Sequence, residues 1–367
     1  MISLPEQELR RTARQMNLPG FGPEQQEALH RAKVLVIGAG GLGCPIMQTL
    51  AATGVGHISL IDDDVVDLTN IHRQILFGAS DVGRKKTEVA AERLRELQPG
   101  IDVTTIDGRM DASNAEELLE DIDVLIDGSD TFATKFMAAD AAEITGTPLV
   151  WGSVLRYRGD VALWWSGPGA PDDGVGMRDL YPDQPDADSV PDCATAGVLG
   201  VTTSVVGGLM STEVIKFLTG VGEATVGTLH MYDALTTQIR RFDVRRDPGR
   251  ELVTAFADYE GAACAVPDNG SEELLEAVAT GAAVALDVRE EHEKAIKDIS
   301  AARAEHIPTS ADPQLGVDFI DSLPEGTNVV VYCASGKRSQ GFVDKHAAHA
   351  DARNVTLTSL PGGVNAL

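Results

Sequence analysis

Two segments of this 367-residue chain carry residue types that chemistry requires. The first is a glycine turn, GAGGLG at 38–43, directly after the apolar run VLVI, with Gly38, Gly40 and Gly43 in G-x-G-x-x-G order and Asp62 closing the next apolar run. Backbone amides at a helix N-terminus hold phosphates, and an acidic side chain at the end of the second strand holds a ribose. Alone, this pattern suits a nicotinamide or flavin enzyme as well as a nucleotide transferase. Charged residues downstream tip the balance: NIHRQ supplies Asn70 and Arg73, GRKK supplies Lys85 and Lys86, and DGSDT supplies Asp127 and Asp130. A dehydrogenase does not need two cations by the phosphates. Adenylyl transfer must stabilise a pentavalent phosphorus and a departing pyrophosphate. Arg73 and Lys86 suit that charge, and Asp130 suits the magnesium that neutralises a triphosphate.

The second segment is VVVYCASGKRS, which sets Cys333 between an apolar strand and a helix starting near Arg338. Successive amides of such a loop form an anion nest, and Lys337 and Arg338 add positive charge, so a reactive thiolate is expected. A phosphatase loop has C-x5-R spacing; the C-x4-R spacing here is one residue shorter and better fits a persulfide sulfur than a tetrahedral phosphate. A third thiol, Cys193 in PDCATAGVLG, sits at a loop-to-helix junction where a helix dipole favours the thiolate. From spacing alone it is a nucleophile or an inert core cysteine.

These residues need a scaffold. The runs VLVI at 34–37, ISLI at 58–61, VTTI at 103–106 and VLID at 124–127 alternate with helix-like stretches at 46–54, 84–98 and 113–120. That alternation predicts an α/β fold, a mostly parallel sheet with helices on both faces. The apolar block 201–218 is long enough for a helix packed on the sheet. Residues 166–192, rich in Pro and Asp, are expected to be a mobile loop. The pattern breaks at 261–271 and restarts with VALDV at 284–288 and VVVY at 329–332. The reading is a first domain over 1–250, a linker over 251–271 and a smaller α/β domain over 272–367.

Composition agrees with two folded domains: 43% hydrophobic and 23% charged residues. With 30 Lys and Arg against 56 Asp and Glu the net charge is −26, which argues against nucleic acid or anionic lipid as a partner. Apolar runs such as 34–39 fall short of the ~20 residues that cross a bilayer, so no membrane partner is expected. Four scattered cysteines and an N-terminus without an apolar signal core point to a reduced, cytoplasmic protein.

RTARQMNLPGFGPEQQEAL at 11–29, then VLVIGAGGLGCP, LIDDDVVDLTNIHRQILF, GRKK and DGSD closely resemble the MoeB/ThiF family of adenylyltransferases, relatives of ubiquitin-activating enzymes, over about residues 9–245. The resemblance implies a Rossmann-like first domain. It implies an enzyme that uses ATP and Mg2+ to adenylylate the C-terminal glycine of a small ubiquitin-like sulfur carrier ending in Gly-Gly. It assigns ATP contacts to Gly41, Asp62, Asn70, Arg73 and Lys86, and magnesium to Asp130. It also implies a homodimer in which Arg14 reaches the neighbouring subunit's ATP, and thioester or acyl-disulfide chemistry at Cys193. Many relatives hold a structural zinc with two C-x-x-C pairs. Here the corresponding stretches read APDDGVGMRDLYP and RRDPGRELVTAF, so no zinc is expected, and packing or dimer contacts are expected to hold those loops.

C-x-x-G-x-R-S, LDVREEHE at 286–293 and LPGGVNAL at 360–367 resemble rhodanese sulfurtransferases over about 272–367, with KDISAARAEHIP replacing the usual turn and Leu367 a closing tryptophan. Together the two resemblances imply a carrier adenylate attacked by a Cys333 persulfide, which a donor such as a cysteine desulfurase supplies. The resulting thiocarboxylate would serve molybdopterin, thiazole, cysteine or tRNA thiolation. The rivals are a nucleotide-dependent oxidoreductase with a regulatory rhodanese-like domain and an inactive carrier-binding scaffold.

Overall fold

Runs that are apolar on both faces form strands covered by helices on both sides, and the runs at 34–37, 58–61 and 124–127 do so, whereas the run at 103–106 is a strand at the sheet edge with Thr104 and Thr105 exposed. The computed structural model describes residues 4–185, 197–259, 271–294 and 304–366. The chain divides into two units, Met1–Ala262 and Ala263–Leu367. In the first, helices α1 (Glu6–Thr12) and α2 (Pro23–Arg31) precede β1 (Lys33–Ile37), α3 (Gly43–Thr53), β2 (His57–Ile61), α4 (Lys86–Leu97), β3 (Asp102–Ile106), α5 (Ala115–Leu119), β4 (Val124–Asp127) and α6 (Phe132–Thr145). Then come β5 (Leu149–Leu155), β6 (Arg158–Trp164), α7 (Gly200–Thr219), β7 (Thr228–Asp233) and β8 (Gln238–Asp243).

The eight strands form one sheet in the order β3-β2-β1-β4-β5-β6-β7-β8. It is parallel from β3 through β5 and antiparallel from β5 through β8. From β1 the chain runs outward to β2 and β3 on one side, then returns to β4 on the other. In open α/β sheets, ligands bind in the crevice that such a reversal opens at the strands' carboxyl ends.

Alternate residues of β1 face opposite cores. Val34 and Val36 pack with Leu50, Leu94, Val206 and Met210, whereas Leu35 packs with Leu125, Phe136 and Trp151. Helix α7 has 20 residues and is long and apolar enough, by length and composition, to cross a bilayer, which the sequence reading of short apolar runs did not anticipate. Its apolarity has a packing explanation, because Val206, Met210 and Val214 are fully buried in the core against the sheet.

Two expectations need correction. Residues 166–185 are not a free loop: Trp165 bridges Val175, a 3-10 turn spans Met177–Asp179, and Val175 and Met177 are buried. Packing of Val175 and Met177 in the core holds this segment, as expected, and ion pairs fasten it further. The expected linker begins too early, since Tyr259 is buried in the first unit with its hydroxyl donating to Asp140 Oδ2 at 2.7 Å.

The second unit contains α8 (Ser271–Ala279), β9 (Val284–Asp287), α9 (Glu291–Lys294), β10 (Glu305–His306), α10 (Gln314–Ser322), β11 (Asn328–Tyr332), α11 (Lys337–Ala352) and β12 (Thr356–Ser359). Its parallel sheet runs β10-β9-β11-β12 between two apolar clusters, one with Val330, Tyr332 and Leu360, the other with Leu286, Val331 and Ile320.

Candidate active site

Strand β1 ends in a turn that only glycine can make. Gly38 has φ +86°, and a Cβ on Gly43 would lie 1.8 Å from the Gly38 carbonyl oxygen. The turn opens α3, so its amides stand at a helix N-terminus, where an anion is favoured. The loop after β4 lies against it, with Gly128 O 3.4 Å from where a Gly38 Cβ would be. The order reversal of the sheet thus sets Asp130, exposed on the β4 loop, beside the glycine turn.

Around the turn stand the predicted charges. Arg73 runs along Gly41, its Cγ and Cδ 3.4 Å from the position a Gly41 Cβ would take, and donates to Thr69 O at 3.1 Å. Asp62 Oδ2 accepts from the Ala39 amide at 2.7 Å, and Oδ1 from the Asp64 amide at 2.9 Å. Burial raises the Asp62 pKa, while nearby Lys86 and those two amides oppose the rise. Lys86, 4% exposed at the start of α4, reaches Asp64 Oδ2 at 2.8 Å. Asn70 closes the intervening turn, its Oδ1 accepting from the Asp67 amide. Lys85 turns to Asp107. Cys44, inside this turn, is pushed up to about 12 by burial and is no nucleophile.

The structure brings Asp62, Arg73 and Lys86 to the glycine turn, and packs the β4 loop that leads to Asp130 against Gly38 and Gly43. It does not bring Arg14 there. The adjacent Gln15 donates to Thr53 O at the far end of the 11-residue α3, which puts Arg14 roughly 16 Å from its own glycine turn. Cys193 lies outside the described residues. Motif reading missed three neighbours: Asp64, which holds Lys86; Thr203 of α7, whose methyl would meet a Gly41 Cβ at 3.1 Å; and Lys135. Buried Lys135 donates to Asp127 Oδ2 at 3.1 Å and Gly152 O at 2.6 Å, and Asp127 Oδ1 accepts from Ser129 N at 2.9 Å. A single cation in the otherwise apolar stretch FATKFMAA was the available signal for Lys135.

A magnesium ion fits Asp130, because that ion is held by one or two carboxylates together with substrate phosphates. Among the described residues no three potential ligands converge to hold a metal by themselves.

In the second unit, Cys333 directly follows β11 and is fully buried, and its sulfur accepts from the Gly336 amide at 3.1 Å and faces the Ser339 hydroxyl at 3.6 Å. Gly336, at φ +90°, caps α11, so the helix N-terminus faces the sulfur. Arg338 stands close enough to this sulfur to interact with it electrostatically, and it shares its charge with Glu293. Both Nη atoms pair with Glu293 at 2.6 Å; those hydrogen bonds raise the Arg338 pKa and lower that of Glu293. Among the buried side-chain atoms of the loop's described residues, Ser335 Oγ and Arg338 Nε have no hydrogen-bond partner.

Residues 12–252 match the ThiF family. A Mycobacterium tuberculosis protein named "Probable adenylyltransferase/sulfurtransferase MoeZ" is 38% identical over 376 aligned residues, covering 99% of this chain and 93% of its own. A Thermus thermophilus "Sulfur carrier protein adenylyltransferase" is 44% identical over 243 residues, 66% of this chain and 90% of its own. A crystal structure of E. coli MccB with ATP superposes with TM-score 0.58 at 22% identity, covering 68% of this chain and 76% of that one, a likeness of fold. The chain belongs to the ThiF family.

Proposed function

We propose that this chain adenylylates the C-terminal glycine of a small ubiquitin-like sulfur carrier ending in Gly-Gly, then converts the adenylate to a thiocarboxylate. The observation that carries this reading is the Arg73 side chain laid along Gly41, with Lys86 close by Asp62, at the phosphate-binding turn of the sheet. A turn that only had to hold a dinucleotide has no use for both cations. The relative named sulfur carrier protein adenylyltransferase supports the substrate class.

In this reading the turn amides and Arg73 bind the ATP phosphates, Asp62 and Asn70 bind the nucleoside, and Lys86 exchanges Asp64 for phosphate. Asp130 would hold magnesium, which when bound would supply positive charge to neutralise the triphosphate. The carrier's carboxylate attacks the α-phosphorus and pyrophosphate leaves, with Arg73 and Lys86 stabilising the charge of the transition state. The outer sulfur of a Cys333 persulfide attacks the acyl carbonyl and AMP leaves, giving an acyl disulfide. The Cys193 thiolate then attacks the Cys333 sulfur and releases the thiocarboxylate, and a dithiol reductant reopens the Cys193–Cys333 disulfide. A cysteine desulfurase supplies the persulfide in the cytoplasm. Arg14, remote from its own turn, serves the neighbouring subunit of a homodimer.

ATP–pyrophosphate exchange that depends on a carrier ending in Gly-Gly tests the reading. Arg73→Ala is expected to abolish exchange, and Cys333→Ala to leave exchange intact while stopping thiocarboxylate formation. NAD(P)H turnover without exchange, or loss of exchange in Cys333→Ala, overturns it.

A further inference from the structure

Glu143 and Asp179 share a single guanidinium. Arg250 Nη1 and Nη2 donate to the two oxygens of Glu143 at 2.8 and 2.9 Å; its Nε and Nη2 donate to the two oxygens of Asp179 at 2.8 and 3.1 Å. The second Nη1 hydrogen faces Glu251 O at 3.4 Å, so all five guanidinium N–H groups have acceptors. Both carboxylates are filled from other sides as well. Glu143 accepts from the Val253 amide at 2.6 Å and from the Ser166 hydroxyl; Asp179 accepts from the Gly176 amide at 2.8 Å and the Asp247 amide at 3.1 Å. The Glu143 and Asp179 side chains are 3% and 0% exposed and that of Arg250 14%. Burial works against both carboxylates, yet the Arg250 hydrogen bonds hold them below their usual range.

Three stretches of chain meet here: helix α6, the 166–185 segment, and the chain after β8. A second clasp joins the same three, with Arg178 paired to Asp140 at 2.7 and 2.8 Å and Tyr259 bonded to Asp140 at 2.7 Å. The latter two stretches contain APDDGVGMRDLYP and RRDPGRELVTAF, the places where relatives carry paired cysteines around zinc. Zinc does not fit these two stretches. Neither contains a thiol, the clasp carboxylates Glu143 and Asp179 already have their oxygens occupied by a cation and by amides, and among the described residues no three potential ligands converge.

We propose that Arg250, gripping Glu143 and Asp179, is the cross-link that stands in place of the structural zinc, so that the first unit keeps its shape without any metal. A zinc site of four thiolates joins two loops through one central cation. Here the central cation is covalently part of one loop, its two anions come from the other loop and from α6, and its planar fork serves both at once. Lysine has the charge but not the fork.

The full-length protein is the material for the test. Metal content is measured, melting is followed with and without a strong zinc chelator, and proteolysis is mapped over 166–185 and 245–259. The expected result is no stoichiometric zinc and no chelator effect. Arg250→Ala is expected to melt about 10 °C lower and to be cut rapidly in both stretches, with Arg250→Lys in between. If Arg250→Ala does not fold, Arg250→Lys and Glu143→Gln are read instead and show the same pattern at smaller size. Stoichiometric zinc whose removal lowers the melting temperature overturns the proposal. So does unchanged melting and unchanged protease resistance in Arg250→Ala, or in both substitute variants.

Discussion

Asp62 Oδ2 accepts a hydrogen bond from the Ala39 amide at 2.7 Å, so the carboxylate that closes β2 also clamps the glycine turn that closes β1. One side chain therefore shapes the phosphate site while remaining available to a ribose. Asp62→Ala removes both contributions, and Asp62→Asn keeps an acceptor for the Ala39 amide while losing the charge. Hydrogen bonds to charged groups contribute about 1.5–3 kcal/mol. Asp62→Ala is expected to raise the KM for ATP in pyrophosphate exchange by roughly ten- to a hundredfold, with Asp62→Asn between it and the parent. Equal KM values in all three proteins would remove Asp62 from the site.

Lys135 acts one step further back. It neutralises buried Asp127, and Asp127 in turn holds the Ser129 amide directly before Asp130. Lys135→Met leaves a buried carboxylate alone, a change that costs about 3–5 kcal/mol. Lys135→Met with Asp127→Asn is expected to recover most of the melting temperature. If the pair positions Asp130, the double variant still needs more magnesium for half-maximal exchange, and Lys135→Arg restores the parent's requirement. Parent-like magnesium dependence in a stable double variant would reduce the pair to a core contact.

The parallel half of the first sheet could be read from the sequence because β1, β2 and β4 are nearly unbroken apolar runs, as strands covered on both faces must be. The antiparallel half could not. Strand β8, QIRRFD, is exposed at every position and has no burial pattern to detect, and the β5–β6 turn bends at Arg156 with φ +56° instead of at a glycine or asparagine. The site divides in the same way. Arg73, Lys86 and Asp130 stand in local motifs, whereas Thr203 reaches Gly41 from a helix far along the chain, and the Arg250 clasp is assembled from three distant segments. Acidic loop composition suggested mobility over 166–192 because nothing local announces the arginine that neutralises Asp179 in its described part, 166–185.

Asp160 provides a pH test independent of catalysis. Burial raises its pKa from 3.8 to about 6, with Arg158 opposing. A carboxylate whose folded pKa is raised destabilises the fold once it must ionise. The penalty is absent below the unfolded pKa, grows as pH climbs from about 4 to about 6, and is complete above that, at about 3 kcal/mol. Asp160→Asn is therefore expected to melt several degrees above the parent at pH 7.5, with the difference closing by pH 4. A constant offset across that range would show that ionisation is not the cause.

The Cys333 loop depends on a glycine from the far end of its own unit. Gly363 has φ +58°, and a Cβ there would lie 2.3 Å from Cys333 O and 2.6 Å from Ala334 O, while the neighbouring Val364 amide donates to Cys333 O at 2.9 Å. Alanine must push the loop backbone away, and the contacts of the sulfur with the Gly336 amide and the Ser339 hydroxyl move with it. Because the adenylylation residues lie in the other unit, Gly363→Ala is expected to leave ATP–pyrophosphate exchange unchanged and to lower thiocarboxylate formation at least tenfold, the scale on which small misplacements of reacting groups act. A variant that forms thiocarboxylate at the parent's rate would show that the sulfur loop tolerates displacement, and the persulfide route through Cys333 would lose its geometric support.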